Sequence, residues 1–521
     1  MDRAILKHIV IVGGGSAGWL TAGILAADHR SREGGAHLQV TLIESPDVAP
    51  IGVGEGTWPS MRDTLRRIGV RESDFLRECD GAFKQGSRFD GWIGAAVHGA
   101  ARDSYYHPFV LPQGYGDTDL VAFWQRHQPQ VPFADLVSFQ PHLCARGKAP
   151  KQAATPQFAS VANYGYHLDA GKFGAFLKAR CLEKLGVRYL ADHVLAVDSL
   201  ENGDIASLQT ASHGKLAGDL FIDCTGMRSL LLGQHFGVPL RPQQHVLFND
   251  SALAVQVPYP QADAPIASVT AATAQAAGWI WDIGLPTRRG IGHVYSSAHC
   301  SDDQAETALR AYIAASSGQL DIAQPRKIKF TPGYRERFWQ RNCVAVGLSS
   351  GFIEPLEASA LALVEMAATA ISDDLPFDRA GMDIVARRFN DSFTYRWERV
   401  IEFLKLHYVL SRRGDSDFWR EHREASSIPA RLQELLQLWR HRAPARSDFA
   451  STSEVFPAAS YQYILYGMGF DGSATPRGAD AAATADGFFR EAQALTARML
   501  PALPDNRSLL AHIARHGLPS I

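Results

Sequence analysis

The sequence predicts an α/β fold in which a parallel-sheet module carries antiparallel β insertions and is followed by a mainly helical C-terminal region. Three observations support this. A strand, a glycine-rich turn and a helix follow one another near the start of the chain, short β-branched segments recur up to about residue 350, and long amphipathic patterns begin after Pro376. We therefore predict two domains, a discontinuous module over residues 1–375 with an inserted sheet and a helical domain over residues 376–521.

The first element is predicted to be a buried parallel strand over Ile9–Val12, followed by Gly13, Gly15 and Gly18 at the spacing G-x-G-x-x-G. In this pattern the first glycine permits a tight turn and the second lets a pyrophosphate approach the backbone. The third allows the next helix to pack closely on the strand. A dinucleotide site is therefore predicted at this turn.

The helix predicted over Trp19–Ala27 would direct the free N–H groups of its start, around Ser16 and Ala17, towards the phosphates. A second strand over Leu38–Ile43 ends at Glu44, whose carboxylate can accept hydrogen bonds from a ribose. The alternative is that this apolar start is a signal peptide. It is disfavoured because three consecutive glycines break the helix that such a peptide needs.

The composition argues against several classes of protein. The net charge is −2, which indicates no basic surface for nucleic acid or an anionic membrane. The six cysteines are scattered without a C-x-x-C pair, and no H-E-x-x-H or similar histidine cluster occurs, so no metal is expected. No stretch reaches roughly 18 uninterrupted apolar residues. We therefore expect a soluble protein of the reducing cytoplasm.

Apolar periodicity and turn residues predict the remaining elements. Helices are predicted over Ser60–Ile68, Glu72–Arg77, Lys172–Lys184, Asp302–Ser316, Leu361–Ser372, Arg379–Leu410 and Ile428–Arg440. Strands are predicted over Val187–Tyr189, Val194–Val197, Leu220–Asp223, Ala252–Val257, Gly278–Pro286, Gly292–Ser296 and Cys343–Val346. The segment from Leu111 to Gln152 is predicted to be a loop, and the chain beyond the last of these helices a looser tail.

Lys84 and Glu357 are the first candidates for chemistry. An arbitrary lysine is a solvated surface residue, but Lys84 has Phe83, Phe89 and Trp92 as neighbours in the sequence. A desolvated ammonium there would have a lowered pKa and could act as a hydrogen-bond donor or a nucleophile. Glu357 lies just before a predicted helix. It is either a first-turn acid favoured by the helix dipole or a carboxylate fixed in a dry site.

Aromatic pairs are the second group of candidates. Trp279 and Trp281 would share one face of a strand, either as core residues or as the wall of a site. His107 and Phe109 flank a proline and either pack in the core or hold an aromatic ligand. A glycine-rich loop that contains Gly54 and Glu55 is predicted to lie against a ligand, because so many small residues exceed what a simple turn needs.

Three motifs together resemble the flavin-dependent halogenases of the tryptophan halogenase type, most strongly from residue 8 to about residue 408. The first is the glycine turn with Trp19 and Ala22 after it. The second, Trp279-Ile-Trp-Asp-Ile-Gly-Leu-Pro286, is similar to W-x-W-x-I-P, which sets these halogenases apart from related monooxygenases. The third, Phe352-Ile-Glu-Pro-Leu-Glu-Ala-Ser-Ala360, is similar to F-x-E-P-L-E-S-T-G. Two departures are that Gly284 stands at the motif proline and that Ala-Ser-Ala follows Glu357.

This resemblance implies a Rossmann-like FAD-binding module and a reaction in which FADH2, oxygen and halide give hypohalous acid. That acid would cross a tunnel to halogenate an electron-rich aromatic substrate, with an indole as the expected class. It also implies that a separate flavin reductase supplies FADH2, in keeping with the single dinucleotide fingerprint. We expect bromide to be favoured over chloride, because alanine at position 360 and glycine at position 284 would reshape the halide pocket and the tunnel mouth.

The resemblance also assigns the candidate residues. It implies that Lys84 and Glu357 are catalytic and that the backbone N–H groups of Ser359 and Ala360 hold the halide. It places His107 and Phe109 against the substrate, with Trp279 and Trp281 as a wall that keeps the substrate from the flavin. The expected flavin-binding residues are Gly13, Gly15, Ser16, Ala17, Gly18, Glu44, Gly54, Glu55 and Leu348.

Two alternatives remain open at this point. The first is a flavin monooxygenase that hydroxylates its substrate, which would require neither the lysine nor the paired tryptophans. The second is a flavin-binding protein without catalysis, which would not need Lys84 and Glu357 together. The mass of the product distinguishes the first alternative from halogenation.

Overall fold

The strand, turn and helix predicted at the start of the chain form in the computed structural model, which describes residues 6–29, 38–48, 54–94, 103–319, 321–472 and 481–520. His8–Val12 is the strand and Ser16–Asp28 the helix. The strand is buried because its four apolar residues leave no polar side for solvent, as expected for a central parallel strand.

The described residues divide into two compact units that alternate along the chain. The first unit comprises Met1–Asp80, Leu168–Gln243 and Phe330–Trp397, and the second comprises Gly81–His167, Gln244–Lys329 and Glu398–Ile521. By compactness, therefore, the inserted sheet belongs with the C-terminal helices. The predicted functional boundary after residue 375 stays a prediction.

The first unit is built on a six-stranded sheet that is parallel except at one edge. In spatial order its strands are Trp339–Gln340, Cys343–Ala345, Leu220–Asp223, His8–Val12, Gln39–Glu44 and Arg188–Ala191. Two small antiparallel sheets contain Val194–Ser199, Ile205–Thr210 and Lys215–Ala217, and Leu240–Pro242, Gly333–Arg335 and Gly351–Phe352. Glu55–Gly56 is a further short strand.

The helices of the first unit pack around Ser16–Asp28, which itself contacts the strands His8–Val12 and Gln39–Glu44. These helices are Ser16–Asp28, Met61–Arg67, Glu72–Glu78, Ala170–Lys184 and Ser359–Asp373, with short helical turns at Gly226–Arg228, Leu230–His235, Gly347–Ser349 and Leu356–Ala358. Arg379–Leu410 begins in this unit and ends in the other. Parallel strands with helical connections are the arrangement expected of a Rossmann-like fold, which confirms the predicted class.

The second unit is built on a seven-stranded sheet. In spatial order its strands are Arg326–Lys329, Ser251–Pro258, Arg288–Tyr295, Gly278–Gly284, Thr270–Gln275, Gly86–Asp90 and Ser104–Pro108. All neighbours are antiparallel except Thr270–Gln275 and Gly86–Asp90, which run parallel. A separate antiparallel pair joins Ala82–Lys84 to Gly165–Leu168.

The second unit also contains helices. They are Leu120–His127, Phe133–Val137, Gln140–Ala145, Asp302–Ser317, Asp417–Glu421, Ala430–Trp439, Ala458–Gly467, Ala481–Ala502 and Asn506–His516, with short turns at Ala425–Ser427 and Arg446–Asp448. Within the residues described, no helix is both long and apolar enough to cross a membrane.

Two element predictions were wrong. The segment from Leu111 to Gln152 contains three short helices, and the chain after residue 440 contains three longer ones. In the first segment prolines mark helix starts rather than loops, since Pro132 is the N-cap of one helix and Pro141 occupies the first turn of another. The other predicted helices and strands are present, with ends that differ by a few residues.

Candidate active site

The glycine turn of the first unit has the geometry that a dinucleotide requires. Gly13 has a φ of +112°, and a Cβ added there would lie 2.2 Å from the carbonyl oxygen of Cys224. A Cβ on Gly18 would lie 1.9 Å from the carbonyl oxygen of Gly13, so the helix can approach the strand only with glycine there. A Cβ on Gly15, by contrast, would meet no described atom within 4 Å. Open space over Gly15 is what a pyrophosphate would occupy.

The start of the first helix borders the same turn. Gly15 is the N-cap of Ser16–Asp28 and carries no side chain to cap the first N–H groups. Ala17 lies against the turn that contains Leu348, because a Cβ on Gly347 would be 2.7 Å from the Cβ of Ala17. Backbone donors and small residues thus converge at the carboxyl ends of the central strands, where dinucleotides bind in folds of this kind.

Glu44 lies at the end of the second strand, next to the glycine turn. Its carboxylate rests against Gly14, where an added Cβ would lie 2.2 Å from the Glu44 Cδ. Lys178 Nζ lies 3.0 Å from Glu44 Oε2 and 3.8 Å from the centroid of the Tyr189 ring. The donor set, the open glycine and the acid at the strand end therefore fit a dinucleotide such as FAD.

Gly54 and Glu55 belong to a glycine-rich loop of the first unit. Residues 51–53 of this loop lie outside the described residues, while Glu55–Gly56 forms a short strand. Desolvation raises the pKa of Glu55 to about 7. The predicted contact of Gly54 and Glu55 with a flavin stays a prediction.

Glu357 occupies a strained turn before the helix Ser359–Asp373. Glu357 and Ala358 have φ values of +64° and +55°, a region that residues other than glycine rarely adopt. Glu357 is buried, and its carbonyl oxygen accepts a hydrogen bond of 2.8 Å from Trp58 Nε1. Consecutive strained residues at a buried carboxylate are typical of a functional site, because the fold must hold them in place.

The backbone at Ala360 is regular, whereas the expected preference for bromide assumed that alanine at this position would restrict the backbone around the halide. Ser359 and Ala360 both lie in the helix, and Ala360 has no positive φ. Alanine at position 360 is therefore unstrained, and the departures from ideal backbone fall on the two preceding residues instead. Gly284 likewise remains paired with Arg289 at the end of its strand, so the strand stays regular there.

Glu365 is a buried acid of the same helix that the sequence did not single out. It accepts hydrogen bonds from Thr64 Oγ1 at 2.5 Å and from Ser60 Oγ at 3.1 Å. Burial raises its pKa to about 7, with a smaller contribution from the charge of Asp63. A glutamate at a helical position facing hydroxyl groups gives no signal in the sequence, because its partners are about 300 residues away.

Lys84 is fully buried at the end of Ala82–Lys84 in the second unit. Its Nζ lies 5.4 Å from the centroid of the Phe109 ring, which is within the range of a cation–π interaction. Phe109 follows the strand Ser104–Pro108 and is held by a hydrogen bond of 3.2 Å from its N–H to the carbonyl oxygen of Gln85. Two of the predicted site residues are therefore brought together, and the lysine is desolvated as predicted.

His167 is a buried neighbour of Lys84 that the sequence did not identify. Ala82 pairs with His167 and Lys84 with Gly165, so both side chains leave the same face of the ladder. Burial, and next the charge of Lys84, hold the pKa of His167 well below its usual range. His167 Nε2 lies 2.8 Å from Thr270 Oγ1. A neutral imidazole therefore stands beside the lysine.

His107 lies in an aromatic cluster of the second unit. Its ring centroid is 5.6 Å from that of Phe403, 6.5 Å from that of Phe456 and 6.3 Å from that of Tyr463. Phe403 and Phe456 stack with centroids 3.8 Å apart. Because Phe456 and Tyr463 come from the C-terminal region, no local pattern around His107 could have predicted them.

Trp279 and Trp281 share one face of Gly278–Gly284, as the alternation predicts. Their ring centroids lie 6.4 Å apart in an edge-to-face arrangement. Trp279 is buried and also contacts Trp92, with centroids 6.3 Å apart. The ring of Trp281 covers Gly292, where an added Cβ would lie 2.1 Å from it. The two indoles therefore pack against each other on one face of the strand, and their predicted role as the wall of a site stays a prediction.

In the part of the chain that the structure describes, no group of three or more histidine, cysteine, aspartate or glutamate side chains could hold a metal ion. All six cysteines are described, and all are free thiols. The chemistry that these two units offer is therefore that of a dinucleotide turn and buried acids in one, and a buried lysine among aromatic rings in the other.

Fold and site together define a dinucleotide-dependent enzyme of the Rossmann-like class. The chain belongs to the tryptophan halogenase family, whose model matches residues 8–484. It is 32% identical over 482 residues to the tryptophan 6-halogenase SttH of Streptomyces toxytricini, and the aligned region covers 88% of this chain and 89% of that protein.

Solved structures agree with this family assignment. A tryptophan halogenase from Shewanella frigidimarina NCIMB 400 superposes with a TM-score of 0.96 at 48% identity, over 100% of each chain. The flavin-dependent halogenase BrvH from Brevundimonas sp. BAL3 gives a TM-score of 0.85 at 34% identity, over 98% of this chain and 99% of that one. The resemblance seen in the three motifs is therefore confirmed, and the chain is an oxidoreductase of this family.

Proposed function

We propose that this enzyme uses FADH2, oxygen and a halide ion to halogenate a small electron-rich aromatic substrate of the indole class. The observation that carries the proposal is the fully buried Lys84 beside Phe109, in a chain of the tryptophan halogenase family. Desolvation of an ammonium is costly, yet Lys151 and Lys405 are also fully buried, so the proposal depends on the position of Lys84, which matches that of the essential lysine of the family.

The flavin would be held in the first unit. Gly13, Gly15 and Gly18 form its phosphate turn, with the N–H groups of Ser16 and Ala17 as donors and Glu44 at the ribose. Leu348, Gly54 and Glu55 complete the proposed contacts. Bound FADH2 supplies, with oxygen, the two-electron oxidation that converts halide into hypohalous acid.

The chain's own side chains direct that oxidant. The N–H groups of Ser359 and Ala360, at the start of a helix of 15 residues, hold the halide ion. The ammonium of Lys84 donates a hydrogen bond to hypohalous acid. Alternatively the deprotonated amine attacks the halogen, so that the N–halogen bond forms, the O–halogen bond breaks and the hydroxyl group leaves as water with a proton from the nitrogen. The carboxylate of Glu357 stabilises the cationic ring intermediate and accepts its proton.

The substrate would be recognised by rings. His107 lies among Phe403, Phe456 and Tyr463, which are uncharged aromatic side chains. Such a cluster favours a flat apolar ring over the charged amino and carboxyl groups of free tryptophan. Trp279 and Trp281 would keep the substrate away from the flavin.

The reductase partner and the location of the enzyme are proposed from the sequence. A separate reductase supplies FADH2, since the sequence holds one dinucleotide fingerprint. A reducing cytoplasm is the proposed location, in keeping with scattered cysteines.

Bromide is the proposed preferred halide because chloride is more strongly hydrated and harder to oxidise. Neither of these two reasons involves Ala360 or Gly284.

Competition tests this function directly. The enzyme would be supplied with a flavin reductase, FAD and NADH, equal bromide and chloride, and indole and tryptophan together. We expect brominated indole as the main product. Dominant chlorinated tryptophan would contradict the proposed preference for a small indole over free tryptophan and for bromide over chloride. A product heavier by one oxygen and without halogen would support the monooxygenase alternative.

A further inference from the structure

A network of amide side chains, two of them fully buried, connects the residue after Lys84 to the backbone of Phe109 and Val110. Gln85 follows the lysine directly and is fully buried. Its N–H donates to the carbonyl oxygen of Ser268 at 2.6 Å, and its side-chain Nε2 donates to the carbonyl oxygen of Lys148 at 2.7 Å. Its carbonyl oxygen accepts from the N–H of Phe109 at 3.2 Å. Gln85, the residue next to the lysine, is therefore held by two backbone hydrogen bonds and one side-chain hydrogen bond.

Gln140 connects this backbone to the aromatic segment. It is fully buried at the start of the helix Gln140–Ala145. Its Oε1 accepts from the N–H of Val110 at 2.8 Å, and its Nε2 donates to the carbonyl oxygen of Asn163 at 2.7 Å and to Gln85 Oε1 at 3.3 Å. One side chain thus contacts the residue after the lysine and the residue after Phe109.

Asn163 closes the network on the other side of Phe109. Its Nδ2 donates to the carbonyl oxygen of Phe109 at 3.0 Å. Tyr463, whose ring lies beside that of His107, donates from its hydroxyl group to the carbonyl oxygen of Val110 at 2.9 Å. Both backbone groups of Phe109 and both of Val110 are therefore held by hydrogen bonds.

We propose that Gln140 is a positioning residue that sets the Phe109 ring against the ammonium of Lys84, an inference that rests on the proposed function. Only a primary amide can accept from the Val110 N–H while donating to the Asn163 carbonyl and to Gln85. Leucine fills a similar volume but does neither, and glutamate retains only the acceptor. Fully satisfied buried networks of this kind hold their members more rigidly than separate bonds do.

The test compares Gln140→Leu with the wild type in halogenation of indole with bromide, with the reductase, FAD and NADH present. The quantity measured is brominated product per FADH2 oxidised. We expect it to fall between about tenfold and about 100-fold, the effect of a misplacement of up to 1 Å at a reacting centre. The rate of flavin oxidation and the affinity for FAD should stay unchanged, because the residues proposed to bind FAD belong to the first unit and Gln140 belongs to the second.

Further variants separate positioning from stability. Gln433→Leu is the matched control, since Gln433 Nε2 also donates to two carbonyl oxygens, those of Ala425 and Ile428, far along the chain from Lys84. It should leave product per FADH2 unchanged. Gln140→Glu should not restore the product yield, because a buried carboxylate would face the acceptor oxygens of Asn163 and Gln85. Asn163→Ala, at a partly exposed position, should lower the yield in the same direction as Gln140→Leu and serves if that variant folds poorly.

The outcomes distinguish this inference from the proposed function. A wild type that makes no halogenated indole overturns the proposed function and the inference with it. A wild type that halogenates, with Gln140→Leu and Asn163→Ala forming as much product per FADH2, overturns the positioning role alone.

Discussion

Two lysines are fully buried near the strand Ala82–Lys84, and their surroundings differ. Lys151 Nζ donates to the carbonyl oxygen of Pro156 at 3.3 Å and to the Tyr164 hydroxyl at 3.1 Å. It also lies 5.7 Å from the centroid of the Phe83 ring. Because side chains alternate along a strand, Phe83 and Lys84 point to opposite faces. Lys84 lies instead near Phe109 and shares its face with the neutral His167.

These two lysines give a matched pair of variants. We expect Lys84→Met to abolish halogenation while FAD binding and flavin oxidation continue, because the lysine would act on the oxidised halogen rather than on the flavin. Lys151→Met should retain most of the halogenation per folded molecule, since this lysine contacts Phe83, on the strand face opposite to Lys84. It should cost about 1–3 kcal/mol of stability, because Pro156 and Tyr164 lose a buried donor. Product analysis of both variants checks this, and halogenated product from Lys84→Met at the wild-type rate would contradict the assignment.

Glu357 gives a second prediction at this scale. Glu357→Gln removes the negative charge and the proton acceptor but keeps the size of the side chain, so turnover should fall by roughly 10²–10⁴-fold. Steady-state halogenation rates measure this. Glu336→Gln, at an exposed position of the same unit, is the control and should be neutral. A loss of less than about threefold in Glu357→Gln would be too small for a general base and would exclude the proposed role.

Glu365 makes the stability of the first unit depend on pH. Its folded pKa of about 7 lies above its ordinary value of 4.5, so the folded state binds more protons than the unfolded state between these pH values. Stability from this group is therefore fully present below pH 4.5 and is lost as pH rises through 7, by about 3 kcal/mol in all.

The variant Glu365→Gln checks this dependence. The amide keeps an acceptor for Thr64 Oγ1 or Ser60 Oγ and carries no charge at any pH. Urea unfolding of wild type and variant at pH 5.5 and pH 8 should show the variant gaining relative stability at the higher pH. An identical difference at both pH values would show that Glu365 does not titrate in this range.

At the scale of elements, the glycine turn separates folding from cofactor binding. Gly13→Ala should lower the free energy of unfolding by more than about 2 kcal/mol, because its φ is positive and the Cβ would meet the Cys224 carbonyl. Gly15→Ala should fold within about 0.5 kcal/mol of the wild type, since the Cβ enters open space. That Cβ should nevertheless weaken FAD binding at least about tenfold, or 1.4 kcal/mol.

Thermal melting of the FAD-free protein and titration with FAD measure these two effects. Gly174→Ala is the control, because Gly174 lies within the helix Ala170–Lys184 and also faces open space. It should not change FAD affinity. Full FAD affinity in Gly15→Ala would show that the pyrophosphate does not pass over this glycine.

The same turn shows what the sequence can predict. Strand, glycines, helix and Glu44 were predictable because each has a local signal of periodicity, backbone freedom or chain order. The network of Gln85, Gln140 and Asn163 was not, because amide side chains give no pattern and their partners are distant in the sequence. The helix at Gln140 is not predictable either, since the prolines and glutamines of that segment favour a loop over its short apolar runs.

At the scale of the whole molecule, the predicted catalytic set is divided between the units. The dinucleotide turn and Glu357 belong to the first unit, and Lys84, His107 and the paired tryptophans belong to the second. Each unit is made of three separate segments of the chain, and the predicted functional boundary after residue 375 stays a prediction.

The most direct test of the central claim is the mass spectrum of the product from indole, bromide, FAD, NADH and a flavin reductase. We predict a monobrominated indole with the two equal isotope peaks of bromine, formed only when the reductase is present. Without the reductase, the purified protein should oxidise little NADH. A product that gains one oxygen and no bromine, or indole recovered unchanged while FADH2 is oxidised, would contradict the account.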